Sequence, residues 1–174
     1  ALSYKEIWHS PVGGWRNAAL GDFTNDGDDE IVAISESDTD FQLIIYDPVI
    51  TSGEVDPGNG FGNLYWKVLY QTSLPGKPYL ILTGEFDPDK PGQEIAYVYE
   101  PPEAGGAVRN SQVVILTQTN TPVDGTAWTT LGEMFNDDVW TDIASGDLEV
   151  TGIDDVALID EDRSKLSVYR FVNN

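Results

Sequence analysis

The sequence predicts an all-β chain of β-propeller type: three four-stranded blades, with the ring completed by a second chain or by missing repeats. Three observations predict it. The same pattern of residues recurs around Gly21, Gly84 and Gly146, which stand 63 and 62 residues apart. Each recurrence holds four short runs rich in Val, Ile, Tyr and Trp, bounded by Gly, Pro, Asn and Asp, which is how strands read. Between two of those runs lies an acidic turn. Self-similarity at a fixed period is the signature of repeat architectures, and strands recurring in groups of four suit a propeller blade better than a sandwich. Helical periodicity bracketed by caps is absent from the sequence.

The first unit reads Ala18-Ala19-Leu20-Gly21-Asp22-Phe23, a polar turn, then Asp29-Glu30-Ile31-Val32-Ala33-Ile34. The second reads Ile81-Leu82-Thr83-Gly84-Glu85-Phe86, a turn one residue longer, then Gln93-Glu94-Ile95-Ala96-Tyr97-Val98. The third reads Ile143-Ala144-Ser145-Gly146-Asp147-Leu148, a turn, then Asp154-Asp155-Val156-Ala157-Leu158-Ile159. A further apolar run follows each turn, at 41–46, 112–116 and 166–171. Another run precedes each unit, with an aromatic three residues ahead of an aliphatic: Tyr4 and Ile7, Trp66 and Leu69, Trp128 and Leu131. The units therefore span about 15–77, 78–139 and 140–174, with an N-terminal strand at 3–9, in one domain.

Composition narrows the partners. Thirty acidic residues against nine basic ones give a formal charge of −21, which repels a phosphate backbone and an anionic membrane surface. The acids are interleaved with aromatic and branched residues, so they form a folded acidic surface and not a disordered tail. No cysteine is present, which excludes disulfides and thiolate-ligated metals. No apolar run approaches the roughly 20 residues that cross a bilayer, so membrane insertion is not expected.

The acidic turns carry the chemistry. In the first, Asp22, Thr24, Asp26 and Glu30 place oxygens at positions one, three, five and nine, with the Asp28 carbonyl as a further ligand and Gly27 at the bend. A hard cation such as calcium takes about six to eight oxygens at roughly 2.3–2.6 Å, and this spacing supplies them. The third turn offers Asp147, Glu149, Thr151 and Asp155, with Gly152 at the bend and the Ile153 carbonyl. The middle turn offers Glu85, Asp87, Asp89 and Glu94, interrupted by Pro88 and Pro91. An EF-hand opens similarly, but its twelfth position needs a bidentate Glu, where the three turns have Ala33, Ala96 and Leu158. A metal-free, Asx-rich hairpin turn remains the alternative for any one of them.

The pattern Gly-Asp-Phe, acidic loop, Asp-Glu-Ile-Val resembles an FG-GAP (VCBS-type) repeat, as in the propeller head of integrin α chains and many secreted bacterial proteins. The resemblance covers all three units. It implies a four-stranded blade per repeat, Ca2+ in the loop, an extracellular or cell-surface setting, and binding or scaffolding instead of catalysis. Asp22, Asp26 and the Asp28 carbonyl match the family loop, whereas Thr24 stands where Asn or Asp is usual and Glu30 where Asp is usual. Thr151 replaces a carboxylate in the third loop, and Glu85 replaces the leading Asp in the second.

No catalytic residues are expected. His9 is the sole histidine and sits in an unrepeated stretch. Paired carboxylates occur by chance among thirty acids. The alternative function is a carbohydrate-binding module or lectin, which the five tryptophans invite, within a polysaccharide-degrading enzyme or outside one. Repeat position assigns four of those tryptophans to blade packing. Loops 47–63 and 100–111 break the repeat and are the places to look for a ligand surface. Three blades do not close a ring, so the expected partner is a second copy of this chain, its N-terminal strand joining the third blade, or further repeats of a longer array.

Overall fold

The computed structural model describes residues 9–10, 13–37, 40–50, 64–102, 110–136, 138–162 and 164–172. The expected N-terminal strand at 3–9 lies outside them apart from His9, as do most of loop 47–63 and the centre of loop 100–111.

Eleven antiparallel strands form three sheets among the described residues, and no helix is present there. The first sheet runs in chain order through β1 (Trp15–Gly21), β2 (Glu30–Glu36), β3 (Phe41–Ile50) and β4 (Leu64–Leu74). The second does the same with β5 (Lys77–Gly84), β6 (Glu94–Glu100), β7 (Ser111–Gln118) and β8 (Trp128–Asn136). The third has three strands, β9 (Trp140–Gly146), β10 (Asp155–Asp160) and β11 (Leu166–Tyr169). Among the described residues the three sheets do not close on one another.

Register repeats with the sequence. Gly21 pairs with Glu30, Gly84 with Glu94 and Gly146 with Asp155, so each acidic turn leaves one strand at glycine and enters the next at a carboxylate. Irregularities recur too: Ile45/Tyr46 in β3 and Ile115/Leu116 in β7 occupy the same repeat position. A bulge of this kind increases local strand twist.

Alternation along each strand builds two cores. Val32, Ile34, Leu43 and Ile45 leave the first sheet on one face and meet Ile81, Ile95, Tyr97, Val114 and Leu116 of the second. From the second sheet's other face, Leu82, Ala96, Val98, Val113 and Ile115 meet Trp140, Val156 and Leu158 of the third. β6 is therefore buried on both sides, and its sequence is correspondingly apolar throughout. Each fully buried side chain of Ile or Val size contributes about 1.5–3 kcal/mol. β1 packs along β5, and β5 along β9, so first strands make the closest approach between sheets.

That approach explains two glycines. A Cβ on Gly21 would lie 2.5 Å from Gln93 Oε1, and one on Gly84 would lie 2.8 Å from both Asp154 Oδ2 and the Phe86 ring. A Cβ at either position would force these side chains of the neighbouring loop and ring to shift.

Candidate metal centre

The first acidic turn is shaped by its own carboxylates. Asp22 Oδ1 accepts the Asp26 amide at 3.1 Å and its Oδ2 accepts that of Gly27 at 3.0 Å, while Asp26 Oδ1 accepts the Asp28 amide at 3.0 Å. Left-handed backbone at Asn25 (φ 57°) and Gly27 (φ 95°), residue types that tolerate it, reverses the chain around these bonds. Glu30 closes the turn from beneath. Fully buried, it accepts the amides of Phe23 at 2.6 Å and Thr24 at 3.1 Å on Oε2, and the Thr24 hydroxyl at 3.3 Å on Oε1.

One oxygen each from Asp22, Asp26 and Glu30 then lies within 4.8 Å of the others. An ion bonded at roughly 2.4 Å spans that separation, so the donor set fits a calcium-sized cation. Burial pushes the Glu30 carboxyl up to about 7 against the pull of the two amides, and the nearby Asp26 and Asp22 push the same way. Three carboxylates gathered without a counter-charge repel one another, and a divalent cation relieves that repulsion. Thr24 is half-buried beside the cluster, whereas the Asp28 side chain is exposed, leaving only its carbonyl for the role expected of it.

The third turn copies this backbone. Asp147 accepts the amides of Thr151 at 2.9 Å and Gly152 at 2.7 Å, which hold its carboxyl below the usual range, and Val150 and Gly152 repeat the positive φ of Asn25 and Gly27. Its far end differs. Asp155 is one methylene shorter than Glu30, and instead of capping the turn it grips Arg170 through two parallel bonds, Nε to Oδ1 and Nη2 to Oδ2, both 2.8 Å. Glu149 takes Nη1 of the same guanidinium at 2.8 Å. These bonds, to Asp155 first, raise the Arg170 pKa further. Two of the expected metal-binding carboxylates thus surround a cation belonging to the chain. Thr151 is exposed and Ile153 half-buried.

The middle turn keeps the buried Glu94, which accepts the Phe86 amide at 2.8 Å and the Asp87 amide at 3.1 Å and, like Glu30, is pushed up to about 7 by burial. Asp87 is buried and accepts the Asp89 amide, while Asp89 itself is exposed. Glu85 is half-buried with Oε1 unbonded, and burial together with Asp154 and Asp87 raises its pKa. Among the described residues only Asp22, Asp26 and Glu30 form a three-carboxylate group.

Three of the tryptophans pack against other rings. Trp140 is fully buried edge-on to Tyr169, Trp128 meets Phe23 edge-on at 5.6 Å, and Trp15 meets Tyr46 at 6.0 Å. The sequence signal for Arg170 is a basic residue just past β11, in the one unit whose closing Glu is shortened to Asp. No family model, curated protein or solved structure matches the chain.

Proposed function

We propose that this chain is a calcium-binding, non-catalytic binding or scaffold module of the extracellular space, its three sheets being FG-GAP-like blades of a propeller-type assembly. The observation that carries the reading is the convergence of Asp22, Asp26 and Glu30 in a turn whose backbone is already organised around them. Meander order in every sheet and first strands packed along one another support the blade arrangement. Calcium sits in the first turn, where it offsets the repulsion among carboxylates and ties β1 to β2. In the third turn Arg170 supplies the positive charge instead. Low-affinity oxygen sites suit the roughly millimolar calcium outside cells.

Thermal unfolding in excess calcium and in chelator tests this. Binding to the native state alone stabilises by about 2.7 kcal/mol at a hundredfold excess over Kd, so the midpoint rises in calcium, and Asp22→Asn or Asp26→Asn abolishes the rise. A midpoint indifferent to chelation rejects the reading.

A further inference from the structure

Bonds that cross from one sheet to the next gather at the acidic turns. The Thr83 hydroxyl donates to the Leu20 carbonyl at 2.5 Å, and the Ser145 hydroxyl to the Thr83 carbonyl at 2.7 Å. The Asp154 amide donates to the Glu85 carbonyl at 2.7 Å, and the Gln93 amide to the Asp22 carbonyl at 2.9 Å. Into the first turn the second sheet also sends a side chain. Gln118, at the end of β7 and only 4% exposed, donates from Nε2 to the Phe23 carbonyl at 2.5 Å and accepts the Gly125 amide on Oε1 at 2.9 Å. A buried amide bonded at both ends is held in one orientation.

The Gln93 and Gln118 bonds act on the two peptide units that hold Glu30. A trans peptide is planar, with its carbonyl and its N–H pointing in opposite directions. The unit joining Asp22 to Phe23 is bonded outward to the Gln93 amide and inward, through the Phe23 N–H, to Glu30 Oε2 at 2.6 Å. The next unit, Phe23 to Thr24, is bonded outward to Gln118 and inward, through the Thr24 N–H, to the same oxygen at 3.1 Å. The second sheet therefore fixes the direction of both amides that hold the Glu30 carboxylate beside Asp22 and Asp26. Little room is left for these planes to rotate. A Cβ on Gly92, where φ is +84°, would lie 2.8 Å from the Phe23 carbonyl oxygen, and one on Gly125 would lie 3.3 Å from Thr24 Cγ2. Trp128, the first residue of β8, meets the Phe23 ring edge-on and donates its indole N–H to the Gly125 carbonyl at 3.1 Å.

We infer that the second sheet sets the cation affinity of the first turn, with Gln118 as the positioning residue. The inference rests on reading that turn as a calcium site and adds what prepares it. Gln118 supplies no ligand atom. Without it the Phe23–Thr24 unit is free to turn, and Glu30 loses one of the two amides that orient its carboxylate. Partners that orient a ligand from outside the coordination shell are typically worth about 10- to 100-fold in metal affinity. The coupling runs both ways, because linked binding free energies are reciprocal: a joint that tightens the ion is tightened by it. Calcium in the first turn thus fastens the first sheet to the second, as well as β1 to β2.

Calorimetric titration of the full chain with calcium, beside thermal scans in chelator, tests this. Gln118→Met removes both bonds and is expected to raise the calcium Kd at least about tenfold. Gln118→Asn keeps the amide but is one methylene too short to span from Phe23 to Gly125; it raises Kd by a smaller factor and decides the matter if the methionine variant does not fold. Thr117→Val is the comparison. Thr117 adjoins Gln118 in β7, is equally buried, and donates to Glu94 Oε1 of the middle turn at 3.2 Å. Its loss should lower the midpoint in chelator and leave Kd unchanged. Hydrogen exchange in chelator gives a readout without the ion: the Phe23 and Thr24 amides should exchange faster in the Gln118 variants than in Thr117→Val. A wild-type Kd in both Gln118 variants, an equal rise in Thr117→Val, or unaltered exchange at those two amides overturns the inference. Calcium binding that Asp22→Asn abolishes leaves the proposed function standing in each of these cases, and a wild-type chain that takes up no calcium rejects both.

Discussion

The first and third acidic turns share a backbone and differ in how they handle charge. Both hang on an aspartate that caps two amides, and both pass through left-handed backbone at the fourth and sixth positions. The difference begins with one methylene. Glu30 reaches under its turn to the amides of Phe23 and Thr24 and keeps its carboxylate among Asp22 and Asp26. Asp155 is too short to do so and forks onto Arg170, which also holds Glu149. A buried carboxylate demands hydrogen bonds or a cation, and the two turns meet that demand by different routes. One gathers three carboxylates, while the other carries its own cation.

The largest effect expected from breaking this contrast is at Glu30. Glu30→Ala strands two amides at a buried site, each worth about 1–3 kcal/mol when unsatisfied, so urea unfolding should show a loss of about 3 kcal/mol. A loss under about 1 kcal/mol in that titration would mean that water reaches those amides and that the cap is dispensable.

Protonation should separate the turns next. Burial holds folded Glu30 and Glu94 at about 7, above the 4.5 of an unfolded glutamate, so the native state binds these protons more tightly. Stability from this source is complete below pH 4.5 and drains away as pH rises through 7. Asp147 acts oppositely: its lowered pKa gives stability that is present above 3.8 and lost in stronger acid. In chelator, the midpoint should therefore be higher at about pH 5 than at about pH 8, and the increment from calcium should grow over the same interval because the ion needs Glu30 ionised. Calorimetric scans at the two pH values decide it; a flat chelator profile contradicts the buried-carboxylate account.

Arg170→Met removes the internal cation and leaves Asp155, only 6% exposed, without its partner. The midpoint in chelator should fall, and calcium should now recover part of the loss by entering the third turn. Titration calorimetry should count one more ion per chain in the variant than in the wild type. An unchanged count would show that the third turn has no latent metal geometry.

The smallest effect is at Val150. A β-branched residue at φ 58° is strained where the first turn has Asn25, and its side chain is 91% exposed, so little packing is lost on replacement. Val150→Asn should stabilise by about 1 kcal/mol in the same urea titration. No gain would mean that the strain is relaxed in solution.

Much of this was legible from residue order. The glycine spacing located the acidic turns, and short runs rich in branched and aromatic residues, such as Glu94 to Tyr99, located strands. The position of Asp22, Asp26 and Glu30 in the turn pointed to the cluster that the fold assembles. Arg170 was not legible, because it acts across a strand pair, 15 residues from Asp155 along the chain. Nor was the inter-sheet bonding of Thr83, Ser145, Gln93 and Asp154, whose partners lie 62 to 71 residues away.

By itself, the sequence determined what depends on local chemistry: strand periodicity, turn residues that accept positive φ, and carboxylates spaced to face inward. Tertiary structure alone decided which of those carboxylates meet one another and which meet an arginine, and which apolar faces find a neighbour. Those outcomes turn on distances of a few ångströms between distant segments, and a single methylene, in Glu30 against Asp155, is enough to change them.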